Sequence, residues 1–146
     1  MIKLSTKGRY GTRLMLNLAL HYNAGQEPVI LKNVAKEEEI SIRYLEQIII
    51  PLKLSKLVKS IRGAGGGYIL TQPPSKLKLI EIIEALEGPI ALVDCVDDLE
   101  YCDRMPRCAT YEVWKKATDL LRDYFSNTTL QDLVIRAKKK TPPNTK

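Results

Sequence analysis

Histidine, phenylalanine and tryptophan each occur once in this chain, and cysteine only three times. Three cysteines cannot pair completely within one chain, and their absence outside residues 95 to 108 argues against an oxidised, secreted framework. A reducing, cytoplasmic compartment is expected. Long apolar runs are missing as well: Ile48 to Leu52 falls far short of the ~20 residues a membrane crossing needs. No charged-then-apolar leader opens the chain. The expectation is a soluble protein with no membrane partner. No internal repeat is visible, and no closely spaced pair of zinc ligands occurs.

What is present is one domain's worth of polypeptide, 146 residues that are 45% hydrophobic and 27% charged, enough to bury a core. The net charge of +6 is unevenly placed. Residues 1 to 78 hold 13 Lys and Arg against 5 Asp and Glu, whereas residues 79 to 137 hold 6 against 12, and residues 138 to 146 add four lysines. A cationic amino-terminal half points to a nucleic-acid face.

Ser5 or Thr6 caps a predicted first helix, with Tyr10, Leu14, Leu18 and Tyr22 on one side and Gly25 and Pro28 ending it. Lys3, Lys7, Arg9 and Arg13 crowd its start, where cations oppose the helix dipole, so an external anion would explain them. A short extended piece at Val29 and Ile30 precedes a second helix over 31–39. Ser41 then caps a third helix from Ile42 toward Leu54, with Leu45, Ile48, Ile49 and Leu52 buried and Pro51 kinking its last turns. Two short helices joined by a tight turn form a helix-turn-helix. Two strands follow, 57–61 and 68–70, and between them Arg62 precedes four glycines in five positions, Gly63 to Gly67. This is a wing hairpin. It matches neither phosphate-loop pattern, since Tyr68 stands where the last glycine of G-x-G-x-x-G would fall and no Lys follows.

Leu79 to Leu86 reads as a short helix stopped by Gly88 and Pro89. The acidic stretch 94–108, with all three cysteines, reads as a loop. A long helix over 110–126 carries Val113, Trp114, Ala117, Leu120, Leu121, Tyr124 and Phe125 on a face too wide for one small domain to cover, so a homodimer is expected. Thr129 with Asp132 caps a last turn or two. The predicted fold is mainly α: a winged helix-turn-helix with a two-stranded wing and a long C-terminal dimerisation helix. Its parts are a DNA-binding unit at 1–90, a cysteine-bearing sensor loop at 91–109, the dimerisation and terminal helices at 110–137 and a disordered basic tail at 138–146.

The second helix of such a motif enters the major groove, where polar side chains near its start reach base edges. Here these are Ser41, Arg43, Tyr44, Glu46 and Gln47. Glu46 suits a cytosine amino group and Gln47 an adenine, while Arg43 and Tyr44 more often meet phosphates. Lys7 and Arg9 are further phosphate candidates. Arg62, with Gly63 at the hairpin tip, is shaped to enter a narrow minor groove.

The runs 4–11 (LSTKGRYG), 40–47 (ISIRYLEQ) and above all 60–68 (SIRGAGGGY) resemble the winged-helix family of bacterial regulators that includes the iron-sulfur regulator IscR, the nitric-oxide sensor NsrR and the cysteine-metabolism repressor CymR. The resemblance reaches Val134 and implies a homodimeric transcription regulator or repressor bound to a two-fold DNA site, with Glu46 as base reader and Arg62 as minor-groove arginine.

Cys95, Cys102 and Cys108 follow a C-x6-C-x5-C pattern in an acidic stretch. Thiolates among Asp94, Asp97, Asp98, Glu100 and Asp103 repel one another unless a cation offsets the charge, which points to metal. The resemblance places the chain nearest the three-cysteine, IscR-like branch and implies an iron-sulfur cluster, of the [2Fe-2S] type, that sets DNA affinity. Its fourth ligand is open: Tyr111 replaces the histidine of IscR-like members, and Arg9 replaces the acidic residue of NsrR-like members. Tyr111, Glu112 or an external thiol remain as candidates, and His21 reads as a surface or edge residue. The alternative is a cluster-free, CymR-like regulator of cysteine and sulfur metabolism controlled by a protein partner, which the stretch 86–90 (LEGPI) resembles. A thiol enzyme using Cys102 or Cys108 lacks a Cys-x-x-Cys motif, and the sole histidine lies 87 residues before Cys108. No enzymatic activity is expected. A nonspecific DNA-coating protein is disfavoured by Glu46, a liability near phosphates.

Overall fold

The computed structural model describes residues 2–141. Ser5 is the cap of the first helix, α1 (Thr6–Asn23), its side chain accepting from the Gly8 N–H at 3.3 Å. Leu14 and Leu18 of the side named above are buried along α1, together with Met15 beside them. Helix α2 (Leu31–Glu38) ends at Glu39, which adopts the left-handed conformation at φ 54° and turns the chain sharply into α3 (Ile42–Leu54). Ser41 caps α3, accepting from Tyr44 N–H at 3.0 Å. Leu45, Ile48, Ile49 and Leu52 face inward as expected, leaving the opposite side of α3 in solvent.

Strands β1 (Val58–Ile61) and β2 (Gly67–Leu70) pair antiparallel, with Val58 opposite Leu70 and Ile61 opposite Gly67. The extended piece before α2 joins them: Val29 and Tyr68 exchange both backbone hydrogen bonds, at 3.0 and 2.8 Å. That approach needs glycine at 67, where φ is 155° and a Cβ would stand 2.6 Å from the Val29 carbonyl oxygen. The wing is therefore fastened to the helix-turn-helix at its base while its tip is free.

Helix α4 (Leu79–Glu87) packs on α1 and α3, burying Leu79, Ile82, Ile83 and Leu86. The cysteine segment is more ordered than the predicted loop. It opens with one helical turn, α5 (Asp94–Asp97), and closes with a 3-10 turn at Met105–Arg107, though none of these residues is buried. Helix α6 (Ala109–Ser126) buries only Thr118, whose hydroxyl accepts from Leu92 N–H at 3.2 Å.

Helix α7 (Leu130–Lys140) departs from the sequence reading in length and in place. It is capped as expected, with Thr129 and Asp132 bonding reciprocally at 3.1 and 2.8 Å. It then continues through Lys138–Lys140, whose cations suit the negative end of the helix dipole, so the expected disordered tail is helical there. The rest of that expected tail, from 142 onward, lies outside the described residues. Leu130 and Val134 of α7 are fully buried in the same core as Leu14, Leu18, Leu45 and Leu77. The terminal helix thus completes the DNA-binding unit instead of standing with α6. Each such side chain contributes ~2 to 5 kcal/mol by the cost of its truncation to alanine.

Candidate nucleic-acid interface and the cysteine segment

Most of the cationic and polar candidates are exposed, on α3, the wing tip and the start of α1. Ser41, Arg43, Glu46 and Gln47 are exposed on the outer side of α3, and none of their side-chain nitrogens or carboxylates is paired with another charged side chain among the described residues. Arg62 and Gly63 are exposed at the wing tip, and Lys7 and Arg9 on the first turns of α1. Tyr44 is half-buried, its ring meeting Tyr10 edge-on at 5.9 Å, which braces the start of α3 against α1. The guanidinium groups of Arg9 and Arg13 lie 5.7 and 5.4 Å from the Tyr10 ring. Lys53 lies 5.8 Å from the Tyr68 ring and so ties α3 to the wing.

The crowded cations of α1 have different fates. Arg13, also exposed, pairs with the Glu38 carboxylate at 3.3 Å and donates to the Glu38 carbonyl, which links α1 to the end of α2. Lys7 and Arg9 stay exposed. The free N–H groups of the helix start are met from within the chain, while Lys7 and Arg9 have no ion-pair partner among the described residues. The Glu87 carboxylate, from the end of α4, sits against Ser5 and Gly8. A partner 79 residues distant from Gly8 leaves no periodic trace in the sequence, so Glu87 was not singled out as a site residue.

Cys95, Cys102 and Cys108 are half-buried free thiols. Among the described residues no group of three His, Cys, Asp or Glu side chains is placed to hold a metal ion. Among the described residues the three thiols are thus not clustered in a metal-binding geometry, unlike the expected cluster site. Cys108 precedes α6, and its sulfur lies 3.2 Å from the Thr110 hydroxyl. That hydrogen bond first, then the backbone N–H groups of Tyr111 and Thr110 and the charge of Arg104, hold its thiol below the ordinary cysteine range. Tyr111 lies half-buried in the first turn of α6, and His21 contacts the Asn17 carbonyl oxygen at 2.9 Å on α1.

Beyond the cysteines, α6 turns Val113, Trp114, Leu120, Leu121 and Tyr124 to solvent. Leu121 and Phe125 also line a groove with Ile2, Leu4, Ile83 and Pro89. Arg122 approaches Glu84 at 3.2 Å and the Ile90 carbonyl at 3.4 Å, fixing α6 on the end of α4. No helix among the described residues is long and apolar enough to cross a membrane.

A helix-turn-helix with an exposed polar reading face, a glycine-tipped wing braced against it and a long helix with an apolar face define a winged helix-turn-helix DNA-binding transcriptional regulator, not an enzyme. Residues 4–136 match the Rrf2 family, described as iron-dependent transcriptional regulators, and the chain belongs to that family.

It is 42% identical over 132 residues to the transcriptional regulator CymR of Bacillus subtilis, covering 90% of this chain and 89% of that one. The solved structure of CymR, titled the global cysteine regulator of B. subtilis, superimposes with a TM-score of 0.76 at 41% identity, covering 93% of this chain and 98% of that chain. The solved IscR of T. potens gives 0.78 at 35% identity, covering 98% and 94%. The backbones do not separate the two, but sequence identity is higher to CymR. This corrects the expectation that the chain stands nearest the three-cysteine, IscR-like branch.

Proposed function

We propose that this chain is a homodimeric, sequence-specific regulator of genes of cysteine and sulfur metabolism, working in the cytoplasm without a resident cluster and under the control of a protein partner. The observation that carries this reading is the 42% identity to CymR across nine-tenths of both chains. It is joined by thiols that the fold does not gather with a fourth donor, and by Tyr111 and Arg9 standing where the family resemblance implies ligands.

In this reading two protomers meet through α6 and present two α3 helices about one DNA turn, ~34 Å, apart. Glu46 and Gln47 read base edges, with Ser41 beside them at the start of α3. Arg43, Tyr44, Lys7 and Arg9 fix the register on phosphates, and Arg62 with Gly63 follows the adjacent minor groove. The second reading, a [2Fe-2S] cluster on Cys95, Cys102 and Cys108, is favoured by one observation, three cysteines within fourteen residues and none elsewhere. Such a group, when bound, would supply iron sensitive to oxygen or nitric oxide.

Purification without oxygen, followed by absorption spectroscopy and iron and sulfide assay, tests the choice. The expected result is a colourless, iron-free protein that fails reconstitution and still selects a defined duplex from a random pool. A coloured protein with stoichiometric iron and sulfide would transfer the assignment to the cluster reading.

A further inference from the structure

The start of α1 is held by a residue from far along the chain. Glu87 accepts through Oε1 from the backbone N–H groups of Ser5 and Gly8, both at 3.1 Å, and from the Ser5 hydroxyl. Helix α1 has no acidic residue in its own first turn, so Glu87 is the carboxylate that meets the partial positive charge there. Helix α4 comes this close because α1 offers glycines: a Cβ on Gly8 would lie 2.5 Å from Glu87 Oε1, and one on Gly11 2.2 Å from Leu86 Cδ1. Lys7 and Arg9 are exposed on the turn that Glu87 holds, where Arg9 donates to the Thr6 hydroxyl at 3.3 Å.

Two consequences follow. A helix start ordinarily offers its free N–H groups to an incoming phosphate, but here a carboxylate already takes that of Gly8. DNA phosphates are left to the side chains of Lys7 and Arg9, and the direction of those side chains depends on how firmly the turn is pinned.

We propose that Glu87 is a positioning residue for DNA binding, which fixes the first turn of α1 so that Lys7 and Arg9 meet the phosphate backbone. The inference rests on the reading of that turn as a phosphate contact, and it adds a residue that touches no DNA itself. Glu87 is also the last residue of α4, followed by Gly88 at φ 86° and the chain that leads to α6. Movement of α6 therefore has a direct covalent path to the pin.

The test uses the full-length protein and a duplex selected from a random pool, with affinity measured at several sodium chloride concentrations below each variant's unfolding temperature. Glu87→Ala is expected to weaken binding about tenfold near physiological salt. It should also lower the slope of log affinity against log salt by about two, one phosphate contact per protomer. Glu87→Gln keeps an acceptor for the Gly8 N–H and should restore most of both. Gly8→Ala favours the helix yet displaces the carboxylate, and should reproduce the loss with Glu87 still present. Lys7→Ala should cost less in the Glu87→Ala background than in the wild type.

Wild-type affinity and slope in folded Glu87→Ala, or an equal Lys7→Ala cost in both backgrounds, would overturn the proposal while the interface stands. Absence of any salt-dependent duplex binding by the wild type would overturn the interface reading, and this inference with it.

Discussion

In the proposed complex Glu46 and Arg62 carry opposite charges into the same field of phosphates, and the difference between their roles can be measured. Glu46→Ala removes a negative charge near the DNA backbone, so general affinity should hold or rise while base preference relaxes at one position of each half-site. Site selection from a random pool reads this directly, and unchanged preference would remove Glu46 from the reading set. Arg62→Ala should instead cost ~1 to 3 kcal/mol, concentrated on duplexes with narrow, A·T-rich minor grooves. The exposure of both was legible in the sequence because it depends on position relative to a local motif. The pairing of Arg13 with Glu38 was not legible, being a contact between two helices that neither helix's own pattern announces.

Single elements followed their local signals closely. Helix α3 has the bounds its spacing gave, because Ser41 caps it and its four buried positions repeat on one side. The capping pair of α7 was equally plain, yet its last turns were not, since a run of lysines reads alike in a solvated tail and at the end of a helix packed by its first half. The Asp132 carboxyl is held below the ordinary carboxylate range by the Thr129 backbone N–H, then the Thr129 hydroxyl, with Arg136 adding attraction. A carboxyl with a depressed folded pKa stabilises above its unfolded value of ~3.9, and that contribution fades as pH falls through the folded value. Melting temperature followed from about pH 6 down to pH 2 should therefore fall further in the wild type than in Asp132→Asn. Parallel curves would detach the cap from acid sensitivity.

At the scale of the whole molecule, the split between a cationic first half and an acidic second half survives folding only in part, because α7, basic in its last turn, packs its first half into the core of the first unit. Much of the apolar face of α6 is turned to solvent in the described protomer, with Leu120 58% exposed. Leu120→Glu should leave the protomer's melting temperature nearly unchanged at an exposed position, yet drive sedimentation toward a monomer. It should also weaken operator binding about a hundredfold through loss of the second reading head. A variant that remains dimeric would move the contact to another surface. The cysteine segment was the least legible region: spacing shows that thiols are near in sequence, but coordination needs them to converge, and that depends on a loop with no core to define it.

Because Leu130 and Val134 plug the same interior as Leu14 and Leu18, the polypeptide is closed into a ring by its own last helix. A fragment cut after residue 90 would leave an oily socket open to water. The reading head is thus no detachable module to be grafted onto a foreign receiver, and any cue felt by α6 arrives through both of its ends at once.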